Sequence, residues 1–256
     1  MICYTRNFED VILQRVLADV QQGWYLDVGA GEPIVDSNTY AFYQKGWRGV
    51  AIEPLPVKKM WQDSRPKDIL INAAIGEKPG SLSMQIYAAD PQSTTASQET
   101  ISYWKNRGRE PVQSLVVPVM TLNDVISKNL PNRPLHILSI DVEGMELQVL
   151  HGIDLALYRP WIIVMEAVIP NSQTPSHAAW EPLLITANYS MVCFDGVNRF
   201  YLANEFSQLR ERFILPPNVW DNFQMAKQLE LIEQIKNLTA EVARLKQALA
   251  HAASFY

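Results

Sequence analysis

Apolar side chains recur along this chain at two spacings, and their alternation predicts the architecture. Residues 8–20 repeat at helical spacing through Val11, Ile12, Val16 and Val20, with Asn7 placed as the cap. Trp24, Tyr25, Leu26 and Val28 then make a short run of β-forming side chains that stops at Gly29-Ala30-Gly31. The pattern predicts a buried strand entering a tight turn, with Asp27 at the strand's carboxyl end. A helix is expected over 39–45 and ends at Gly46. A second strand over 47–53 finishes in Glu53 before Pro54. A helix over 57–63 leads to a third strand over 69–75, whose end carries Asn72 and Ala73.

Simple alternation then lapses. Residues 81–88 alternate in the way of an exposed strand. Residues 90–97 are rich in Ser, Thr and Gln and read as a loop, and 99–109 as a polar helix or loop. Another strand is expected over 112–120, and Thr121 opens a short capped helix to Lys128. Strand and helix alternate again over 135–140, 142–152, 161–167 and 181–188. Residues 189–194 and 199–203 flank Asp195-Gly196-Val197-Asn198, where Asp-Gly favours a tight hairpin. Strands separated by helices imply a parallel sheet with right-handed crossovers. The fold class is therefore α/β, a doubly wound sheet with an antiparallel closing strand.

After Pro216-Pro217 the apolar positions take a third spacing. Leu231, Ile235, Leu238, Val242, Leu245 and Leu249 step by four and three within a Gln-, Glu-, Lys- and Ala-rich tail. Ile235 and Val242 fall at heptad position a, with Leu231, Leu238 and Leu245 at d, the combination that favours a parallel two-stranded coil. Glu241 at g faces Lys246 at e of a partner. The plain alternative is a surface helix packed on its own domain. The expected division is a domain over 1–220 and a coiled-coil helix over 221–256, giving a homodimer.

Composition narrows the function. Of 256 residues, 48% are hydrophobic, enough for a substantial core, and the net charge of −5 argues against nucleic acid as a main partner. Two cysteines, Cys3 and Cys193, suit a reducing compartment and offer no zinc spacing. The first ten residues lack a basic stretch followed by an apolar core, so no secretion signal is expected. The apolar run 161–165 is too short to cross a bilayer. A cytoplasmic protein without a membrane span is the expectation.

Ligands of open parallel sheets sit outside the carboxyl ends of the strands, which singles out Asp27, Gly29, Ala30, Gly31 and Glu53, with Asn72 and Ala73 beyond. Glu53 ends the second strand, where an acid accepts hydrogen bonds from ribose hydroxyls. A nicotinamide site needs a third glycine where Ile34 stands, and Asp27, Glu32 and Asp36 would repel a pyrophosphate. The same acids suit the sulfonium and ammonium groups of S-adenosylmethionine. Asp141 leaves a later strand and Glu143 follows it. Either is a candidate general base for a hydroxyl nucleophile, the plain alternatives being that Asp141 hydrogen-bonds backbone and that Glu143, equally placed for it, caps the next helix. Glu146 lies on that helix's exposed side or bonds within the domain. Glu166 ends the next strand, followed by Asn171 and His177. Asp141 with Glu166 is a candidate pair for Mg2+, with His177 as base; the plain alternatives are carboxylates that bind cofactor amines or solvent, and a His177 that stands at a helix entry. His136 and His151 read as structural. Ser93-Thr94-Thr95 is a substrate loop or plain solvated chain, and Trp61, Trp104 and Trp180 either line a sugar site or belong to the core.

Several ordered stretches share one resemblance. Asn7-Phe8-Glu9-Asp10-Val11, Trp24 to Ala30, Gly46-Trp47-Arg48-Gly49 before Ile52-Glu53-Pro54, and Asn72 to Gly76 come first. Ile140-Asp141-Val142-Glu143-Gly144-x-Glu146 and Phe194 to Tyr201 follow. From about Tyr4 to Trp220 the chain resembles the FkbM family of S-adenosylmethionine-dependent methyltransferases. The resemblance implies a class I methyltransferase (Rossmann-like) fold and methyl transfer to a hydroxyl oxygen of a sugar or natural product. It implies that Asp27, Gly29 and Glu53 meet the cofactor, with Asp141 near the reacting centre. Gly31 departs from the usual Asn, and Glu32 stands where Asp is common. Relatives of this length often occur beside sugar-transferring enzymes of surface polysaccharide assembly, which implies a glycosyltransferase as a possible partner for the tail. The expectation is an O-methyltransferase acting on a saccharide hydroxyl. The alternatives are a non-catalytic cofactor-binding scaffold docking a glycosyltransferase through the coil, or a nicotinamide-dependent oxidoreductase.

Overall fold

The computed structural model describes residues 1–87, 93–130, 132–169 and 172–253. The ends of two expected segments, Ala88 and Asp90, lie outside the described residues, as do Asn171 and the last three positions. In chain order the elements are β1 (Ile2–Cys3), α1 (Glu9–Val16), β2 (Trp24–Val28), α2 (Tyr40–Gln44), β3 (Arg48–Ile52), α3 (Lys58–Ser64) and β4 (Ile69–Ile71). Then come β5 (Ala74–Ile75), β6 (Gly80–Ile86), α4 (Gln98–Lys105), β7 (Gln113–Met120), α5 (Leu122–Asn129), β8 (Ile137–Ile140) and α6 (Glu146–His151). The rest are β9 (Ile162–Glu166), α7 (Glu181–Thr186), β10 (Tyr189–Phe194), β11 (Asn198–Ala203), β12 (Gln224–Met225) and α8 (Ala226–Ala253).

Seven strands form the main sheet in the order β10-β11-β9-β8-β2-β3-β4. Its core strands are parallel, and β11 runs antiparallel to both β9 and β10. The antiparallel strand thus lies one place in from the edge. Strands of a parallel sheet are covered on both faces, and β2 shows how. Leu26 and Val28 join the core beneath α5 and α6. Tyr25 joins a second core with Ile12 and Leu13 of α1 and Phe42 of α2. By strand periodicity Asp27 shares Tyr25's face.

Three expected elements are corrected. Residues 69–75 do not form one strand. Asn72 donates from its amide nitrogen to the Glu53 and Leu55 carbonyls, both at 2.9 Å, and Ala73 N–H turns back to Ile71 O at 3.1 Å. The chain bends there, so β4 stays in the main sheet while β5 enters a separate three-stranded sheet, β5-β7-β6. The helix expected over 142–152 begins only at Glu146, because Glu143 and Gly144 take positive φ angles of 54° and 98°. The first helix is likewise shorter, and Asn7 does not cap it. Phe8 holds that position at φ 66° and offers no side-chain cap. Thr121 does cap α5, accepting from Asp124 N–H at 3.1 Å.

β12 pairs in parallel with β1, matching Ile2 with Gln224, and α8 follows directly. Among the described residues no helix is long and apolar enough to cross a membrane.

Candidate functional site

The strand order reverses between β2 and β8, since the chain leaves β2 toward β3 on one side and returns as β8 on the other. Such a switch point opens a crevice at the carboxyl ends of the strands. A cavity of about 830 Å³ lies there. The turn after β2, the end of β3 at Glu53, and Ala73 form one side of its lining, with Asp141, Val142 and Glu143 after β8 and Glu166 at the end of β9. Leu82 and Met84 of β6, with Ser93 and Thr94, also line it.

The glycine turn is closed on itself. Gly29 and Ala30 donate their N–H groups to Ile52 O at 2.9 and 3.1 Å, and Gly31 N–H donates to Glu53 Oε2 at 2.9 Å. No amide of the turn remains to cradle a phosphate, and no helix starts there, α2 beginning only at Tyr40. Gly29 has φ +77°, and a Cβ on it would lie 1.7 Å from the Asp141 carbonyl oxygen. Its first task is therefore to let the ends of β2 and β8 meet. Glu53 Oε1 accepts from Leu55 N–H at 2.8 Å. Each carboxylate oxygen of Glu53 thus keeps acceptor capacity toward the cavity. Burial raises its pKa, and the Leu55 and Gly31 amides oppose the rise.

Two residues expected at the cofactor lie behind this surface. Asp27 does not line the cavity: it is buried and its Oδ2 accepts from Thr39 Oγ1–H at 2.7 Å. Burial raises its pKa, and the bond from Thr39 lowers it. Asn72 also stays outside the lining, its amide spent on the Glu53 and Leu55 carbonyls.

Beneath the turn sits a group that sequence reasoning missed. Arg65 is buried, paired with Asp68 at 2.7 Å, and donates to Tyr25 Oη, Thr39 Oγ1, Ser37 Oγ and Pro33 O at 2.9–3.2 Å. Its guanidinium lies 4.3 Å from the ring centre of Trp61, and Trp61 Nε1–H donates to Gly31 O at 3.0 Å. The aromatic–cation stack and its hydrogen bonds fix both Thr39, which holds Asp27, and Trp61, which holds Gly31. No periodicity marks Arg65 as buried.

At the opposite wall Asp141 N–H donates to Val28 O at 3.0 Å, which anchors the residue beside the glycine turn. The surface its side chain exposes faces the cavity. Desolvation by the surrounding protein, then repulsion from Glu146, Asp27 and Glu53, push its pKa up to about 7, with Arg6 opposing. A ligand that displaces the remaining water strengthens that effect. Glu166 is raised well above the usual carboxylate value, first by burial and then by Asp141. Of the two expectations for Glu146 the structure shows the second: it is not on the exposed side of its helix but is buried and bonds within the domain, accepting from Gly144 N–H at 3.1 Å.

Glu143 is not the helix cap, a place taken by Met145. It lines the cavity, and its carbonyl accepts from Thr95 Oγ1–H at 2.7 Å and Thr100 Oγ1–H at 3.1 Å. Gly144 leaves the room this needs, since a Cβ there would meet Thr100 Oγ1 at 2.4 Å. The Ser93–Thr95 segment is thus built into the site rather than plain solvated chain.

His177 lies in a short 3-10 turn outside the cavity lining, beside Trp180 and 3.9 Å from Glu181. Nothing in that placement supports it as a base. Trp61, Trp104 and Trp180 are all buried and none lines the cavity. His136 is structural, as expected: its Nδ1 accepts from Trp24 N–H at 3.1 Å between the rings of Trp47 and Trp161. Among the described residues no group of three or more His, Cys, Asp or Glu side chains is arranged to hold a metal ion. The structure thus brings Asp141 and Glu166, the candidate magnesium pair, to one cavity without a third such side chain beside them among the described residues.

A second group absent from the expected site residues closes the cavity. Glu9 Oε1 accepts from Asn198 Nδ2 at 2.7 Å and its Oε2 from Asn7 N–H at 3.2 Å, while Asn7 Nδ2 donates to Asp195 O at 3.3 Å. Burial drives the Glu9 pKa up to about 7. Asn7, Glu9 and Asn198 line the cavity with Arg6, whose charge is felt at Asp141. The sequence signal was the Asn7-Phe8-Glu9 stretch paired with the 195–198 hairpin turn.

A family model described as "Methyltransferase FkbM domain" matches residues 27–191, well over half of the chain. The match runs from the carboxyl end of β2 into β10 and leaves Glu9 and Asn198 outside it. Comparison with curated proteins gives no match.

Proposed function

The chain belongs to the FkbM methyltransferase family, and from that premise we propose an S-adenosylmethionine-dependent O-methyltransferase of the class I, Rossmann-like type. Its acceptor is a hydroxyl of a sugar in a surface polysaccharide or glycosylated natural product. One observation carries the reading. A single cavity joins a glycine turn with no free amide, a glutamate with open acceptor capacity, and an aspartate tuned to about 7. The first feature disfavours a dinucleotide, whose pyrophosphate needs free N–H groups. The second fits ribose hydroxyls.

On this reading Glu53 and the Gly29–Gly31 turn hold the nucleoside, and Ala73 leaves space beside it. When bound, S-adenosylmethionine supplies an electrophilic methyl group. Asp141 accepts the proton of the acceptor hydroxyl and so makes its oxygen a competent nucleophile. A base with a pKa near the working pH does this best. Glu166, which burial and Asp141 also push up, stands beside it as a second carboxyl group of the cavity wall. The remainder of the work is positioning, because in-line transfer depends on alignment.

The Arg6–Glu9 segment and Asn198 form the acceptor side. Amide and carboxyl groups there suit hydroxyls. Among the described residues, the ionisable side chains lining the cavity are seven carboxyl groups and one cation, Arg6, which is paired with Asp36 at 2.6 Å. That balance supports a neutral acceptor over a phosphorylated one. Both cysteines are unpaired, which supports a reducing, cytoplasmic setting.

Titration calorimetry tests the cofactor. S-adenosylmethionine is expected to bind, Glu53→Ala to abolish binding, and NADH to give no heat. Failure of the wild-type protein to bind S-adenosylmethionine defeats the proposal. Transfer of label from S-adenosylmethionine to neutral oligosaccharides separates an enzyme from a non-catalytic scaffold, which would bind without turnover.

A further inference from the structure

We propose that α8 forms a parallel two-stranded coiled coil with a second copy of this chain, a proposal that does not rest on methyl transfer. The helix runs 28 residues, about 42 Å at 1.5 Å per residue. Its seam side chains, Leu231, Ile235, Leu238, Val242, Leu245 and Leu249, are 48–73% exposed. The surface-helix alternative would have buried them against the body. A helix of this kind left alone in water holds an apolar stripe against solvent, and most helical stability in proteins comes from covering such a stripe.

The seam specifies its own occupant. β-Branched Ile235 and Val242 at a, with Leu231, Leu238 and Leu245 at d, favour two parallel strands. In that arrangement each a and d layer meets its own copy, so the stripe is complementary to itself. Gln228 falls at a, where a polar residue fixes register at some cost in stability. Glu241 at g meets Lys246 at e of the second copy, a match the same sequence supplies to itself. The Glu233–Lys236 ion pair, at positions f and b, lies off the seam.

The root of the helix is fixed to the body. β12 pairs with β1, the Met1 amino group donates to Asn222 O at 2.7 Å, and α8 starts at the residue after β12. With no intervening linker, a parallel coil carries both cavities at the same end of the stalk.

Sedimentation equilibrium of the full-length protein at micromolar concentration is expected to give twice the 29.1 kDa chain mass. Leu238→Glu with Leu245→Glu is expected to give a monomer whose near-ultraviolet circular dichroism matches the wild type. Val242→Cys adds the orientation, because residues at a face their own copies only in a parallel coil. Mild oxidation should link this variant into a covalent dimer on a non-reducing gel, and leave the wild type, with Cys3 and Cys193 alone, unlinked. A monomeric wild type overturns the proposal, including one that associates only when a glycosyltransferase is added. A dimer that Val242→Cys does not link overturns the parallel register.

Discussion

Replacing Gly29 by alanine tests whether the glycine turn exists to bring two strand ends together. At φ +77° an L side chain costs about 1–2 kcal/mol. The added Cβ would also stand 1.7 Å from Asp141 O and 2.8 Å from its carbonyl carbon. Those are backbone atoms, and Asp141 N–H is tied to Val28 O at 3.0 Å, so relief requires moving the end of β8. Overpacking of this sort adds about 1–3 kcal/mol. The sum, about 2–5 kcal/mol, is a large part of the 5–15 kcal/mol typical of a folded domain. Gly46 is a matched control, with φ +93° and nothing within 4 Å of its Cβ position. Gly46→Ala should therefore cost only the conformational part, about 1–2 kcal/mol. Urea unfolding followed by tryptophan fluorescence is expected to show a lower midpoint for both variants at unchanged m, with the larger drop at Gly29. Equal drops would refute the close-approach argument. At temperatures where Gly29→Ala stays folded, its turnover should fall more than its affinity for S-adenosylmethionine, because the displaced residue is the proposed base.

Asp141→Asn is expected to bind S-adenosylmethionine almost normally while turnover falls roughly a hundredfold, the usual loss for a general base. Wild-type turnover should rise with pH through about 7, as Asp141 gives up its proton, and level off above; the variant's profile should lack that limb. Arg65→Met strands the buried Asp68 carboxylate and should cost about 3–5 kcal/mol in urea unfolding; Arg65→Lys, which lacks the planar fork, should recover only part of it. Glu9 titrates near 7 in the folded protein against an ordinary 4.5. Between those values the native state holds a proton that the unfolded chain has released, so its contribution is complete below pH 4.5 and lost as pH rises through 7. Comparing wild type with Glu9→Gln across that window cancels the other acids, and the variant should gain on the wild type by up to roughly 3 kcal/mol at the alkaline end.

The main sheet was legible because its strands are buried on both faces and so read as short apolar runs between glycines and acids. Residues 69–75 show where that signal stops. Ile-Leu-Ile-Asn-Ala-Ala-Ile looks like one strand, and what breaks it is a side-chain amide reaching two carbonyls about 18 residues back. Local propensity carries no trace of such a bond. The shortened α6 has the same origin. Nothing local forces Glu143 to a positive φ, but Thr95 and Thr100 grip its carbonyl from an insertion more than 40 residues away.

Within the site, legibility divides along one physical line. Carboxylates at the ends of apolar runs are visible in the sequence, which is why Asp27, Glu53, Asp141 and Glu166 all read as strand-end acids. Which of their oxygens remain open is not visible. Asp27 shares its strand face with Tyr25, so it turns toward α2 and its carboxylate goes to Thr39. Glu53 gives one bond's worth of each oxygen to the protein and keeps the rest. Asp141 takes no side-chain hydrogen bond from any described residue and is left facing the cavity with a proton it can exchange near pH 7. Arg65 marks the other limit. Its neighbours in sequence, Lys58, Lys59 and Lys67, look equally exposed, and only the convergence of Tyr25, Tyr40, Tyr43 and Trp61 from separate segments makes it a buried cation. The order therefore runs from that cation to Thr39 and Trp61, then to the closed glycine turn, and last to the two acids still free to meet a ligand.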